Sequence, residues 1–181
     1  MNGVPRCVSS RAAATRAASS GRLPPKRETK RLYARDVIIE APVDAVFGYV
    51  SDWRRWSDWF DGLSGVRPTS EVTRGSGARY RYSVRVMGFP AMVETEVRDF
   101  VEGRSWTGVG TGGLPHRTHW LFEAQDQSTR FTYTLEYRVP VPLLGAALDA
   151  LVVRREWRGI LRRSLSNVRE HFLRSVPAPV A

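Results

Sequence analysis

Near the end of the chain, apolar residues recur at steps of three and four: Ala147, Ala150, Val153, Trp157, Ile160, Leu161, Leu165, Val168 and Phe172. That spacing predicts one long amphipathic helix over Leu143–Arg174. The segment is rich in Leu, Ala, Arg and Glu, and no proline interrupts it after Pro142. Arg154, Arg155, Arg158, Arg162, Arg163 and Arg169 fall largely on the other faces. A helix of roughly 30 residues is about 45 Å long. Its apolar stripe needs a broad apolar surface to cover it.

Upstream the period changes from 3.6 to two. Arg79–Met87 alternates, with Tyr80, Tyr82, Val84 and Val86 on one face. Ala91–Val101 alternates again, setting Val93, Thr95 and Val97 against Glu94, Glu96 and Arg98. As a hairpin, these two strands would place Arg81 and Arg85 opposite Glu94 and Glu96. Arg104–Gly110 is a short strand carrying Trp106, and Thr111–Pro115 is read as a glycine-rich turn. His116–Ala124 sets Trp120 and Phe122 on one face, and Thr129–Val139 does the same for Phe131, Tyr133, Leu135 and Tyr137. Leu32–Glu40 suits a first strand. Gly62–Thr73 holds an irregular one, which Pro68 marks as an edge or bulge.

Between the first two strands lie two short helices. Ala41–Pro42 stops the strand, and Val43, Val46, Phe47 and Val50 have helical spacing. Asp52 is placed to cap a second helix bearing Trp53, Trp56, Trp59 and Phe60. This aromatic ridge reads first as a packing plug, and alternatively as the rim of a ligand entrance. The order is strand, two short helices, about six strands, long helix. It predicts an α+β fold, a curved antiparallel sheet wrapped around the C-terminal helix.

Charge changes the picture less than its total suggests. The 181 residues carry a net charge of +10, but residues 1–31 hold +7 of it and the other 150 only +3. That distribution argues against nucleic-acid binding by the folded part. Residues 1–30 are rich in Ala, Ser and Arg and cannot bury enough surface to fold. They have no apolar signal core; their composition is similar to a transit peptide and equally suits a disordered tail. The expected layout is a disordered basic extension over 1–30, one domain over 31–176 and a disordered tail over 177–181. Cys7, the single cysteine, excludes an internal disulfide and fits a cytoplasmic location. No segment is long and apolar enough for a membrane-spanning helix.

Three stretches then carry a likeness. VIIEAPVDAVFGYVSDWRRWSDWF (Val37–Phe60), STRFTYTLEYRVP (Ser128–Pro140) and the closing helix resemble the START-like helix-grip (SRPBCC) superfamily. The nearest subgroup is the polyketide cyclase/dehydrase and lipid-transport proteins, and the likeness covers about Leu32 to Leu173. It implies a seven-stranded sheet gripping the helix, with a cavity between them for an apolar small molecule. It also implies a family of lipid and hormone binders, aromatase/cyclases and oxygenase domains. The iron-binding His/His/Asp pattern of the oxygenases is missing here, so no metal and no cofactor is expected.

Catalytic signatures are missing too: there is no HExxH, no GxSxG and no cysteine nucleophile. His116 and His119 point to opposite faces of a strand, and all three histidines are read as structural. The inward residues Tyr80, Tyr82, Val84, Val93, Thr95, Trp106, Trp120, Phe122, Tyr133, Tyr137, Val153 and Trp157 form the expected ligand-binding set. Buried phenols need hydrogen-bond partners, which a ligand oxygen or neighbouring strands can supply. The leading expectation is binding, or transport, of a hydrophobic small molecule or lipid. The alternatives are a polyketide cyclase or dehydratase using the same cavity, or an interaction module whose arginine face meets a membrane surface or RNA. No pattern in the chain fixes an oligomeric state.

Overall fold

The computed structural model describes residues 29–139 and 146–175. Of the expected extension over 1–30, residues 1–28 with Cys7 lie outside the described residues, as do the helix start at residues 143–145 and the tail 177–181; Thr29 and Lys30 belong to the first strand. Seven strands form one antiparallel sheet: β1 (Thr29–Ile39), β2 (Leu63–Pro68), β3 (Arg79–Val86), β4 (Phe89–Val101), β5 (Ser105–Gly113), β6 (His116–Gln125) and β7 (Ser128–Val139). Their order is β1-β7-β6-β5-β4-β3-β2, so β1 and β2 are the edges. Between them run α1 (Val43–Ser51), a single 3-10 turn (Trp53–Arg55) and α2 (Trp56–Trp59). The chain closes with α3 (Ala146–Ser175). The α+β fold expected from the periodicities, a sheet curved around a long C-terminal helix, is the one observed.

The alternating positions are the buried ones. Val93, Val97, Phe131, Leu135 and Tyr137 are each at most 5% exposed, while their neighbours along the strands are largely outward. Asp52 caps the 3-10 turn as expected, its carboxylate accepting from the Arg54 N–H at 3.1 Å. β2 is the irregular edge strand, with a register shift between Ser64 and Arg67.

Two turns differ from expectation. The β3–β4 connection is only Met87–Gly88, with φ of 53° and 83°, so Phe89 and Pro90 belong to β4. Positive φ at both central residues is the hairpin turn that matches strand twist. It fixes the register Arg79↔Glu96 and Arg81↔Glu94. Arg81 meets Glu94 as expected (3.4 Å), but Glu96 pairs with Arg79 at 2.9 Å, and Arg85 lies opposite Pro90 instead. Thr111–Gly113, expected as a turn, continues β5 past a register shift against Glu94/Thr95. The loop-like glycines there are strand residues that face crowded neighbours.

The long helix lies with Trp157, Ile160, Leu161, Leu165 and Val168 buried. Polar contacts fix it against the segment after α2. The Ser164 hydroxyl donates to the Ile160 carbonyl (2.7 Å) and accepts from the Asp61 N–H (3.0 Å). The Asn167 amide donates to the Trp59 carbonyl at 3.1 Å. His171 stacks on Tyr49 with centroids 3.9 Å apart.

Candidate functional site

Between the concave sheet and α3 the inner side chains do not quite close. They leave a partly open pocket with about 560 Å³ of space between the side chains, counting the part open to solvent. About 40 Å³ of it admits the centre of a water-sized molecule.

Its walls come from every layer of the fold. β3 supplies Tyr82 and Val84, β4 Val93 and Thr95, and β5 Trp106. β6 supplies His116, Thr118 and Trp120, β7 Tyr133 and Leu135. Trp157 of α3 closes one side; Trp56, Phe60 and Leu63 close another. Leu114, in the two-residue β5–β6 connection, completes the wall.

The indoles form a continuous aromatic wall. Trp106 stacks on Trp120 with centroids 4.0 Å apart and on Trp56 at 5.8 Å. Trp56 donates to the Val50 carbonyl (3.1 Å) and Trp120 to the Thr118 hydroxyl (3.0 Å). The Trp106 N–H is buried without a partner among the described residues. An unpaired buried donor is costly, and a ligand or water oxygen would relieve it.

On the strands beside the indoles runs a directed hydrogen-bond chain. His116 Nδ1 lies 2.8 Å from the Leu114 carbonyl, which can only accept, so Nδ1 carries the proton. In the neutral ring Nε2 is then the acceptor, and the Thr95 hydroxyl donates to it at 2.9 Å. Thr95 in turn accepts from the Tyr82 hydroxyl at 2.8 Å. Burial lowers the His116 pKa below its usual 6.5, partly offset by the Leu114 carbonyl. Burial also pushes Tyr82 up to about 12, against the hydrogen bond to Thr95, and raises Tyr133 well above its usual value. All three groups are thus neutral near pH 7, which suits an apolar site.

Two glycines make room for this chain. A Cβ on Gly110 would lie 2.6 Å from His116 Nδ1, and one on Gly108 would lie 2.5 Å from Thr118 Oγ1. Any side chain at either position would displace a polar group of the wall.

Chemically, the wall can hold an apolar ring against the indoles and offer it a few polar contacts. It can also move a proton. A proton given to the Tyr82 oxygen, with Tyr82 passing its own to Thr95 and Thr95 its own to Nε2, leaves an imidazolium and two neutral hydroxyls. The reverse shift returns the proton.

Of the residues expected from the sequence, Tyr82, Val84, Val93, Thr95, Trp106, Trp120, Tyr133 and Trp157 line the cavity. The structure sets the other four outside its wall. Tyr80 donates to the Thr73 carbonyl (2.6 Å), and Phe122 stacks on Phe131 (4.6 Å) under the edge of Phe47. Tyr137 stacks on Tyr33 (5.9 Å), and Val153 packs on the rim of the core. The inner face is longer than the cavity, and α1 fills one end of it. Missed were His116 and Thr118, which share the strand parity of Trp120 and could have been found by extending it. Trp56, weighed as a packing plug or as part of a ligand-entrance rim, is a cavity wall. Leu114 carried no signal.

The family model for polyketide cyclase / dehydrase and lipid transport matches residues 32–172. Several solved structures share the fold. A protein of Thermus thermophilus is 18% identical, with a TM-score of 0.71 over 80% of this chain and 99% of that one. A START superfamily protein from Mycobacterium smegmatis is 16% identical (TM-score 0.66; 80% and 99% covered). The Zhui aromatase/cyclase from Streptomyces sp. R1128 is 20% identical (TM-score 0.62; 83% and 98% covered). Among curated proteins no match is found. With the family match spanning most of the chain and the cavity lying between sheet and helix, the chain belongs to the polyketide cyclase/dehydrase and lipid-transport family.

Proposed function

We propose that this protein binds a hydrophobic, ring-containing small molecule between sheet and α3. The observation that carries the reading is the aromatic wall of Trp56, Trp106 and Trp120, in which the Trp106 N–H has no partner among the described residues. Flat apolar faces with a few placed polar groups are the usual make-up of a small-molecule site. The cavity volume, about 40 Å³, is too small for a fused ring system, so a wall moves outward on binding. Leu114, half-buried in the two-residue β5–β6 connection, is the side chain we expect to yield. The ligand set is the eight expected residues that line the void, with Trp56, His116 and Thr118 added. The site we assign is cytoplasmic, in keeping with a single cysteine.

Indole fluorescence tests this reading, because several tryptophans wall the cavity. Titration with a naphthol-class aromatic is expected to quench emission saturably, and Trp106→Phe to weaken the effect. Linear, unsaturable quenching that Trp106→Phe leaves unchanged would remove the reading.

A second reading, a cyclase or dehydratase, is favoured by the Tyr82–Thr95–His116 chain. A neutral imidazole behind two hydroxyls can accept a proton from a bound carbonyl compound and return it to a leaving oxygen. The Streptomyces neighbour named as an aromatase/cyclase supports it. Turnover of an aromatic-forming polyketide substrate that disappears in Thr95→Val, with binding retained, is the expected sign.

A further inference from the structure

The outer face of α3 carries a second concave feature that the cavity reading does not use. A surface groove runs between α3 and β1, lined by Arg154, Arg155, Arg158 and Arg162 from the helix and by Arg35 from the strand. All five are exposed, and none forms a salt bridge with a residue whose side chain is described. Arg163 also lines the groove, but Asp61 holds it at 2.8 Å. Among the described residues, Glu156 is the only acid in the wall.

The geometry is that of a receptacle, not a flat charged face. Arg154, Arg158 and Arg162 stand in one row, about 6 Å apart along the axis. Gly159, beside that row in the groove wall, has no side chain. A Cβ there would meet the Arg163 guanidinium at 3.0 Å. Arg35 converges from a different element, so the charge does not come from helical sequence alone. Guanidinium groups bind phosphate oxygens in a planar, bidentate fork, and several together suit a group bearing more than one negative charge.

We propose that this groove is a binding site for a multiply charged phosphate group. The shared chemistry is the phosphate; its source is a soluble ligand or a lipid headgroup. Trp157, which walls the inner cavity, sits on the same turns of α3, so the site lies back to back with the apolar one.

The full chain would be titrated with inorganic pyrophosphate by calorimetry at two salt concentrations, with chloride as the control anion. One saturable site per chain is expected, weakened at least tenfold in Arg154→Gln/Arg158→Gln and again in Arg35→Gln. Arg67→Gln, an exposed arginine outside the groove, is expected to leave it unchanged. Indole emission checks that each variant is folded. Vesicles with and without a phosphoinositide distinguish the sources, and binding with the same arginine dependence would assign the headgroup. No saturable binding to either probe, or equal loss in the Arg67 control, would overturn the proposal. So would binding of single-stranded RNA with none of pyrophosphate or phosphoinositide.

Discussion

His116 Nε2 accepts a hydrogen bond from the Thr95 hydroxyl across 2.9 Å, joining β6 to β4 over the glycines of β5. Thr95 is 3% exposed and, among the described residues, is the only link between the Tyr82 phenol and the imidazole. Thr95→Val keeps the shape and removes both bonds. The expected cost is about 1–3 kcal/mol, because two buried polar groups lose their partner at once. Urea unfolding measures it; a loss near zero would mean that the two groups find water instead.

Gly110→Ala separates sterics from propensity. Alanine normally improves a strand over glycine by about 0.5–1 kcal/mol. Here its Cβ would sit 2.6 Å from His116 Nδ1 and 3.0 Å from the His116 backbone nitrogen. We expect a net destabilisation of about 1–3 kcal/mol. The His116 ring resonances are expected to shift, since the Leu114 bond must stretch. A stabilised variant would contradict the packing described.

Acid should weaken the fold through His116. Its folded pKa is lowered below 6.5 by burial, so the unfolded chain takes up the proton first as pH falls. The neutral ring's contribution is therefore complete above about 6.5 and lost as pH drops through the folded value. In His116→Asn the stability should fall less steeply below about pH 6.5 than in the parent. Parallel curves would mean that the ring titrates alike in both states.

Trp106 and Trp120 are stacked, yet only Trp120 uses its N–H. Trp120→Phe leaves the Thr118 hydroxyl without its donor; Trp106→Phe orphans nothing. Trp120→Phe is expected to be the more destabilising, measured by thermal unfolding. Trp106→Phe is expected to lower affinity for an oxygen-bearing ring ligand by about two- to tenfold, the worth of one hydrogen bond.

The fold was legible because both periods are strong. Trp157, Ile160, Leu161, Leu165 and Val168 announce α3, and the parity of Tyr133 and Leu135 announces a buried strand face. The cavity was legible only in part. Strand parity says which side chains point inward, but not where along the strand the opposite layer stops filling the space. Phe122 and Tyr137 point inward and are covered by Phe47 and by Tyr33 with Trp157. The parity of Trp120 extends to His116, but its role also depends on Gly110, which precedes it in the chain and lies against its ring in the sheet. Turn residues misled nearby: Gly112 and Gly113, which look like a loop, are strand positions packed against Glu94 and Met92.

Native mass spectrometry of the protein purified from its own host, followed by extraction of any bound species, tests the central claim most directly. The account predicts a co-purifying aromatic or lipid species, one per chain, whose occupancy falls in Trp106→Phe. Bare protein that also fails to bind an apolar fluorescent probe would contradict it, and would mean that the aromatic side chains fill a core with no ligand.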